Sequence, residues 1–174
     1  AAGHRFATDH SDTEVLVHGF EEWGRGLLSK LNGMFAFVAF DTKKRTTLIA
    51  RDRISIKPLY LADSDRGLAF ASEIRGLHAS GLLEKTSNPT GVLEYFSQQN
   101  MWMGRSMFAG VRQLQPGTFL EITPEGRKEG AFWSMEFRRG NASMADASAK
   151  LRHALGDAME RQLMADVPVH TYLS

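Results

Sequence analysis

The sequence predicts an α+β fold in which antiparallel strands are layered with helices, followed at its end by the start of an α/β domain. Three observations carry this reading. Short apolar runs separated by polar turns recur from Gly33 to Ala71 and again from Thr118 to Trp133. Apolar residues at helical spacing fill stretches before and between these runs. After a polar linker, a long amphipathic helix feeds an apolar strand, and that change of pattern marks a second unit.

The elements follow in order. Ser11-Asp12-Thr13-Glu14 is a capping box, in which Ser11 accepts from the Glu14 N–H and Glu14 reaches back. Leu16, Phe20, Trp23, Leu27 and Leu31 then share one helical face, and Gly24 divides it into two helices. Met34 to Phe40 reads as a strand buried on both faces. Asp41 to Arg45 is a solvated turn, and Thr46 to Ala50 returns. Pro58 to Ala62 and Leu68 to Ala71 form a second hairpin across Asp63–Gly67. Four strands in meander order predict an antiparallel sheet that must be covered on both sides, with helices packed on it. A short helix starts at Ser72-Glu73 and ends near Gly81, and Asn88-Pro89 opens another that runs to about Gln99. Thr118 to Ile122 pairs with Gly130 to Trp133. Arg138 to Asn141 reads as linker. Ser143 caps a long helix striped by Leu151, Leu155, Met159 and Leu163, and Val169 to Ser174 begins a strand.

Composition narrows the function. With 174 residues, 43% hydrophobic and 24% charged, the chain can bury one sizeable core or one core and the start of another. A net charge of +1, with no basic patch interleaved with aromatics, argues against a nucleic-acid partner. No apolar stretch is long enough to span a membrane and no signal peptide is recognisable, so no membrane partner and a cytoplasmic location are expected. The absence of cysteine excludes disulfides, thiolate metal sites and a cysteine nucleophile from this chain. The six histidines form no HxxxH or HxH pair with nearby carboxylates, so no metal site is expected.

Gly33 to Tyr60, GMFAFVAFDTKKRTTLIARDRISIKPLY, resembles the glutaminase domain of glutamine-hydrolysing asparagine synthetases. Ser11–Val15, the Arg51-Asp52 corner and Ala71-Ser72-Glu73 are shared more widely among class II glutamine amidotransferases. Lys57–Tyr60, Met107–Thr118 and Asp166–Val169 leading to Leu173-Ser174 are similar to the asparagine synthetase group in particular. The resemblance implies an N-terminal-nucleophile αββα sandwich, N-terminally truncated, running into an ATP-pyrophosphatase domain. It implies a partial glutaminase domain over 1–137, a linker over 138–143, and the first helix and strand of the synthetase domain over 144–174.

The implied activity is hydrolysis of glutamine by an N-terminal cysteine, with the ammonia converting aspartate to asparagine through a β-aspartyl-AMP intermediate. The nucleophile and oxyanion-hole residues of the family precede the matched segment, so the resemblance gives no catalytic residue here and implies that this chain alone is inactive. Glutamine, aspartate and ATP are the implied partners, and a homodimer is an allowed assembly. ATP and Mg²⁺ are implied cofactors of the full-length enzyme, bound mainly beyond Ser174. Asp12 maps onto the family's glutamine-binding Asp, where a carboxylate suits the substrate's α-ammonium group. Read from the sequence alone, Asp12 complements the helix N-terminus. Leu173 and Ser174 map onto the edge of the ATP site.

Other residues carry simpler readings. Arg51, Asp52 and Arg53 form an ion-pair and hydrogen-bond cluster that fixes the corner. Glu73 is a helix-start carboxylate rather than a general base, and Met101, Trp102 and Met103 pack in a loop. Three departures from the family stand out, one of them the approach to the capping box, Thr8-Asp9-His10-Ser11, which is one residue longer than usual. Ser55 and His170 occupy family glycine positions, and Ser55 is strained if its φ is positive. Two other readings remain: a same-fold amidotransferase with another acceptor, β-lactam synthetase-like or exopolysaccharide-associated, and a non-catalytic binding or scaffold protein without the nucleophile.

Overall fold

The computed structural model of the chain describes residues 3–9, 11–163, 165, 167–170 and 172. It divides into two compact units, Ala1–Met135 and Glu136–Ser174.

The first unit opens with helix α1 (Asp12–Trp23), capped by the Ser11 hydroxyl, which accepts from the Glu14 N–H at 3.3 Å. The other half of the predicted capping box goes elsewhere. The Glu14 carboxylate accepts from the N–H groups of Ala7 (2.5 Å) and Thr8 (2.9 Å) and from the Thr8 hydroxyl (2.6 Å), tying the preceding arm to the helix. Gly24 ends α1 at φ +52, a conformation that costs glycine little. One 3₁₀ turn, Gly24–Gly26, then leads into α2 (Leu27–Lys30), so the helical stripe is divided where the sequence indicates.

The expected single meander sheet is two sheets. Strands β1 (Ala36–Asp41) and β2 (Thr46–Arg51) join β6 (Thr118–Thr123) and β7 (Gly126–Ala131) in the order β1-β2-β6-β7. Strands β3 (Tyr60–Ser64) and β4 (Gly67–Ala71) join β5 (Val111–Gln113) in the order β4-β3-β5. Every pairing is antiparallel, with Ile49 opposite Leu120 and Leu61 opposite Arg112. The chain changes sheets at the corner after Arg51. Strand β5 has three residues, too few for alternation to show in the sequence.

Side-chain alternation then builds four layers. On β2, Ile49 enters a core with Leu59, Leu61, Leu114 and Leu120 between the sheets. Its neighbours Leu48 and Ala50 face the other way, with Leu28, Phe119 and Phe20, under the α1–α2 layer. On β3, Ala62 packs with Leu77 of α3 (Ile74–Ala79) on the far side of the second sheet. The order within the first unit is therefore helix, sheet, sheet, helix, as the αββα expectation has it. Fully burying a leucine such as Leu61 contributes about 2 kcal/mol. The strand buried on both faces is β2, which lies between β1 and β6. β1 is an edge strand, and Phe40 within it is 59% exposed.

The corner is held by backbone hydrogen bonds. The Asp52 carboxylate, 1% exposed, accepts from the N–H groups of Phe35 (3.3 Å), Ile54 (3.2 Å), Ile56 (3.0 Å) and Lys57 (2.9 Å). Its backbone accepts from Gly117 N–H (2.9 Å) and donates to Phe35 carbonyl (2.8 Å). Gly117 has φ +63, and a Cβ there would sit 2.6 Å from the Trp133 carbonyl oxygen, so only glycine lets the chain approach so closely. Arg51 donates to the carbonyls of Lys57 (2.7 Å), Leu114 (2.7 Å) and Ser55 (3.2 Å) and to the Gln113 amide oxygen (3.2 Å). Arg53 donates to the Leu31 carbonyl at 3.0 Å. The cluster fixes the corner as expected, but through these bonds rather than an Arg51–Asp52 ion pair.

Helix α4 (Pro89–Gln98) starts at Pro89 as predicted, yet Asn88 does not cap it with its side chain. The Asn88 amide donates instead to the Ser106 carbonyl at 3.0 Å. Trp102 and Met103 are exposed, against the expectation of loop packing, and the Trp102 indole N–H bonds the Gln98 side chain at 2.6 Å. In the second unit, Ser143 caps α5 (Met144–Gln162), accepting from Asp146 N–H at 3.1 Å. Its predicted stripe residues Leu151, Leu155 and Met159 are exposed. Val167 to His170 carry no strand, and the proposed nucleotide contacts Leu173 and Ser174 lie outside the described residues.

Ser55 adopts φ +61, and its buried hydroxyl has no hydrogen-bond partner. A Cβ in the left-handed region and an unpaired hydroxyl both cost free energy. Ser55→Gly is expected to raise the unfolding free energy by about 1 kcal/mol in denaturant titration. An unchanged or lower value would show that the corner has no strain at this residue.

Candidate functional site

An open groove of about 800 Å³ runs along the free edge of β1. The α1 face contributes Asp12, Leu16, Phe20 and Glu21, and β1 with its turn contributes the opposite wall down to Lys43 and Lys44. Lys57 and Pro58 of the corner and Ser72 after β4 complete it. Both signs of charge therefore meet an apolar floor. A second cleft near Trp23 is crossed by the Arg25–Glu121 ion pair at 2.6 Å.

The charged groups of the groove differ in how far they are already satisfied. Asp41 accepts from the N–H groups of Lys43 and Lys44, each at 2.9 Å, which fixes the solvated turn. The Lys44 bond is the main reason its carboxyl sits below the usual carboxylate range. Glu21 faces two histidines. Asp12 is exposed at the first residue of α1, and among the described residues its carboxylate accepts only from the Thr13 hydroxyl, at 3.3 Å. The backbone cap belongs to Ser11. Asp12 thus retains hydrogen-bonding capacity at the groove.

The remaining sequence candidates separate. Glu73 is exposed and pairs with Arg75 at 2.7 Å, outside the groove lining. Arg51 and Asp52 are buried in the corner, where burial pushes the Arg51 guanidinium below its ordinary value and the Asp52 and Tyr60 groups offset only part of that. The structure also gathers a group the histidine spacing did not indicate: the ligating atoms of His4, His18 and Glu21 lie within 4.8 Å of one another. His18 and Glu21, three residues apart, were legible as neighbours on a helix. His4 comes from the arm, and only the fold brings it in.

Comparisons with known proteins place the chain among enzymes. The family model described as glutamine amidotransferase domain matches residues 1–133. Glutamine-hydrolysing asparagine synthetase 3 of Bacillus subtilis strain 168 is 34% identical over 175 residues, covering 100% of this chain and 28% of that protein. Asparagine synthetase 2 of the same strain is 32% identical over 189 residues, covering 98% and 24%. The chain thus spans about a quarter of the length of these relatives. Among solved structures, glutamine phosphoribosylpyrophosphate amidotransferase from B. subtilis matches with a TM-score of 0.52 and 25% identity, covering 80% of this chain and 26% of that one. No helix among the described residues is long and apolar enough to cross a membrane.

Hydrogen bonds from the Thr8 hydroxyl and then the Ala7 N–H lower the Glu14 carboxyl from 4.5 to about 2. The folded-state value lies below the unfolded one, so arm attachment is complete above pH 4.5 and is lost as the pH falls toward 2. The Ala7 and Thr8 amide resonances are expected to follow this titration. Amides that stay unchanged while Glu14 titrates near its ordinary value would contradict the attachment.

Proposed function

This chain belongs to the glutamine amidotransferase domain family, and on that premise we propose that its β1 groove binds the substrate glutamine, with Asp12 holding the α-ammonium group. The observation that carries the reading is the division of labour at the start of α1. Ser11 caps the helix, and the neighbouring Asp12 carboxylate, on the groove, accepts no backbone N–H among the described residues. An α-ammonium group supplies what that carboxylate lacks, a charge-assisted donor. Lys43, Lys44 and Lys57 on the same groove suit the negative end of a zwitterion.

The chain contains no cysteine, so its contribution to glutamine hydrolysis is substrate placement, and the attacking thiol must come from elsewhere. The whole protein is proposed to pass the released ammonia to aspartate in an ATP-dependent reaction. The support is the near-complete coverage of this chain by two relatives named glutamine-hydrolysing asparagine synthetases.

Titration of the labelled chain with L-glutamine is expected to shift the Asp12, Thr13 and β1 amides saturably, with no ammonia released. Asp12→Asn keeps the shape and removes the charge, and should weaken binding about ten-fold or more. No saturable response, or equal affinity in the variant, would refute the proposed role of Asp12. Ammonia release by the purified chain would refute the placement-only role.

A further inference from the structure

The arm and α1 build a second constellation, which shares Glu21 with the lining of the groove but rests on none of the observations behind the glutamine reading. Glu21 Oε2 lies 3.4 Å from His18 Nδ1 and 3.8 Å from His4 Nδ1. The far nitrogen of each ring also faces a carboxylate: His4 Nε2 is 3.5 Å from Glu22 Oε2, and His18 Nε2 is 3.5 Å from Glu14 Oε1. Glu14 is itself held by Ala7 and Thr8. The two rings lie 4.7 Å apart, tilted by 38°. His4 Nε2 is buried and makes no hydrogen bond.

The geometry points to a divalent transition-metal site, zinc by preference, with His4, His18 and Glu21 as ligands. A tetrahedral zinc ion with bonds of about 2.0–2.1 Å holds its ligand atoms about 3.4 Å apart, close to the two separations from Glu21. Metal-bound imidazoles characteristically donate their other N–H to a carboxylate, and here Glu22 and Glu14 stand in those positions. Mg²⁺ and Ca²⁺ prefer oxygen ligands throughout, so two imidazoles select zinc or a neighbouring first-row ion. Glu21 is on the solvent side, 62% exposed, which leaves an approach for the ion and a fourth position for water. Bound zinc would clip the arm that carries His4 onto α1.

The test is zinc titration of the chelator-treated full chain by calorimetry, with Co²⁺ absorption and imidazole ¹⁵N shifts as direct readouts. The expected result is one zinc per chain, tetrahedral Co²⁺ bands, and shifts at His4 and His18, with no response to Mg²⁺. His4→Gln and His18→Gln should each weaken zinc by more than about 100-fold, and Glu22→Gln by about 10-fold. His153→Gln, in the exposed His153–Asp157 pair of α5, should leave binding unchanged. Absence of zinc binding would overturn the site, as would equal binding in the His4 and His18 variants. The wild-type ¹⁵N shifts keep the test decisive even if a variant fails to fold: zinc-induced shifts at other histidines alone would also overturn it.

Discussion

The architecture depends on one buried carboxylate. Asp52 gathers backbone N–H groups from the residue leading into β1 and from the loop leading toward β3, while its own backbone bonds Phe35 and Gly117. A carboxylate removed from water is costly unless its lone pairs are filled, and here each oxygen accepts two N–H donors. Arg51 does the complementary work, spending its guanidinium on carbonyls and an amide oxygen of the corner and of the strand end at Gln113-Leu114. Adjacent residues of opposite charge thus satisfy donors and acceptors of the same crossing.

That crossing sets where the groove lies. Because the chain leaves the first sheet at Arg51, β1 remains at an edge, where it lines the groove together with α1. The Asp52 bond to the Phe35 N–H fixes the start of β1, and its bond to Lys57 fixes the segment that supplies Lys57 and Pro58 to the groove. The helix side is positioned separately, by the Ser11 cap and by Phe20 packing beneath the first sheet. Corner and cap together bring Asp12 and the β1 edge to one groove.

Much of this was legible in the sequence, for identifiable reasons. Helix starts were readable because Ser11, Pro89 and Ser143 act locally, within one turn. Hairpins were readable because Asp41 and Gly67 punctuate apolar runs. Ser55 could be marked for strain because a single φ decides it. Two sheets in place of one were implied by the family resemblance but could not be read from periodicity, since the choice between them rests on pairings such as Ile49 with Leu120, far apart in the chain. Burial of β2 on both faces, with β1 exposed at an edge, follows from the same distant pairing. At the site, Asp12 was legible from its motif, whereas its freedom from capping was not. The His4 cluster was hidden because its third member arrives through the arm that Glu14 holds.

Native-state hydrogen exchange at the corner tests the central claim most directly. The account predicts that the amides of Ile54, Ile56, Lys57 and Gly117 exchange only through global unfolding, with the same free energy as the central strand β2. The exposed turn amides of Lys43 and Lys44 should open locally and exchange far faster. Corner amides that exchange as fast as the turn, while β2 stays protected, would contradict the claim that Asp52 holds the two sheets in register.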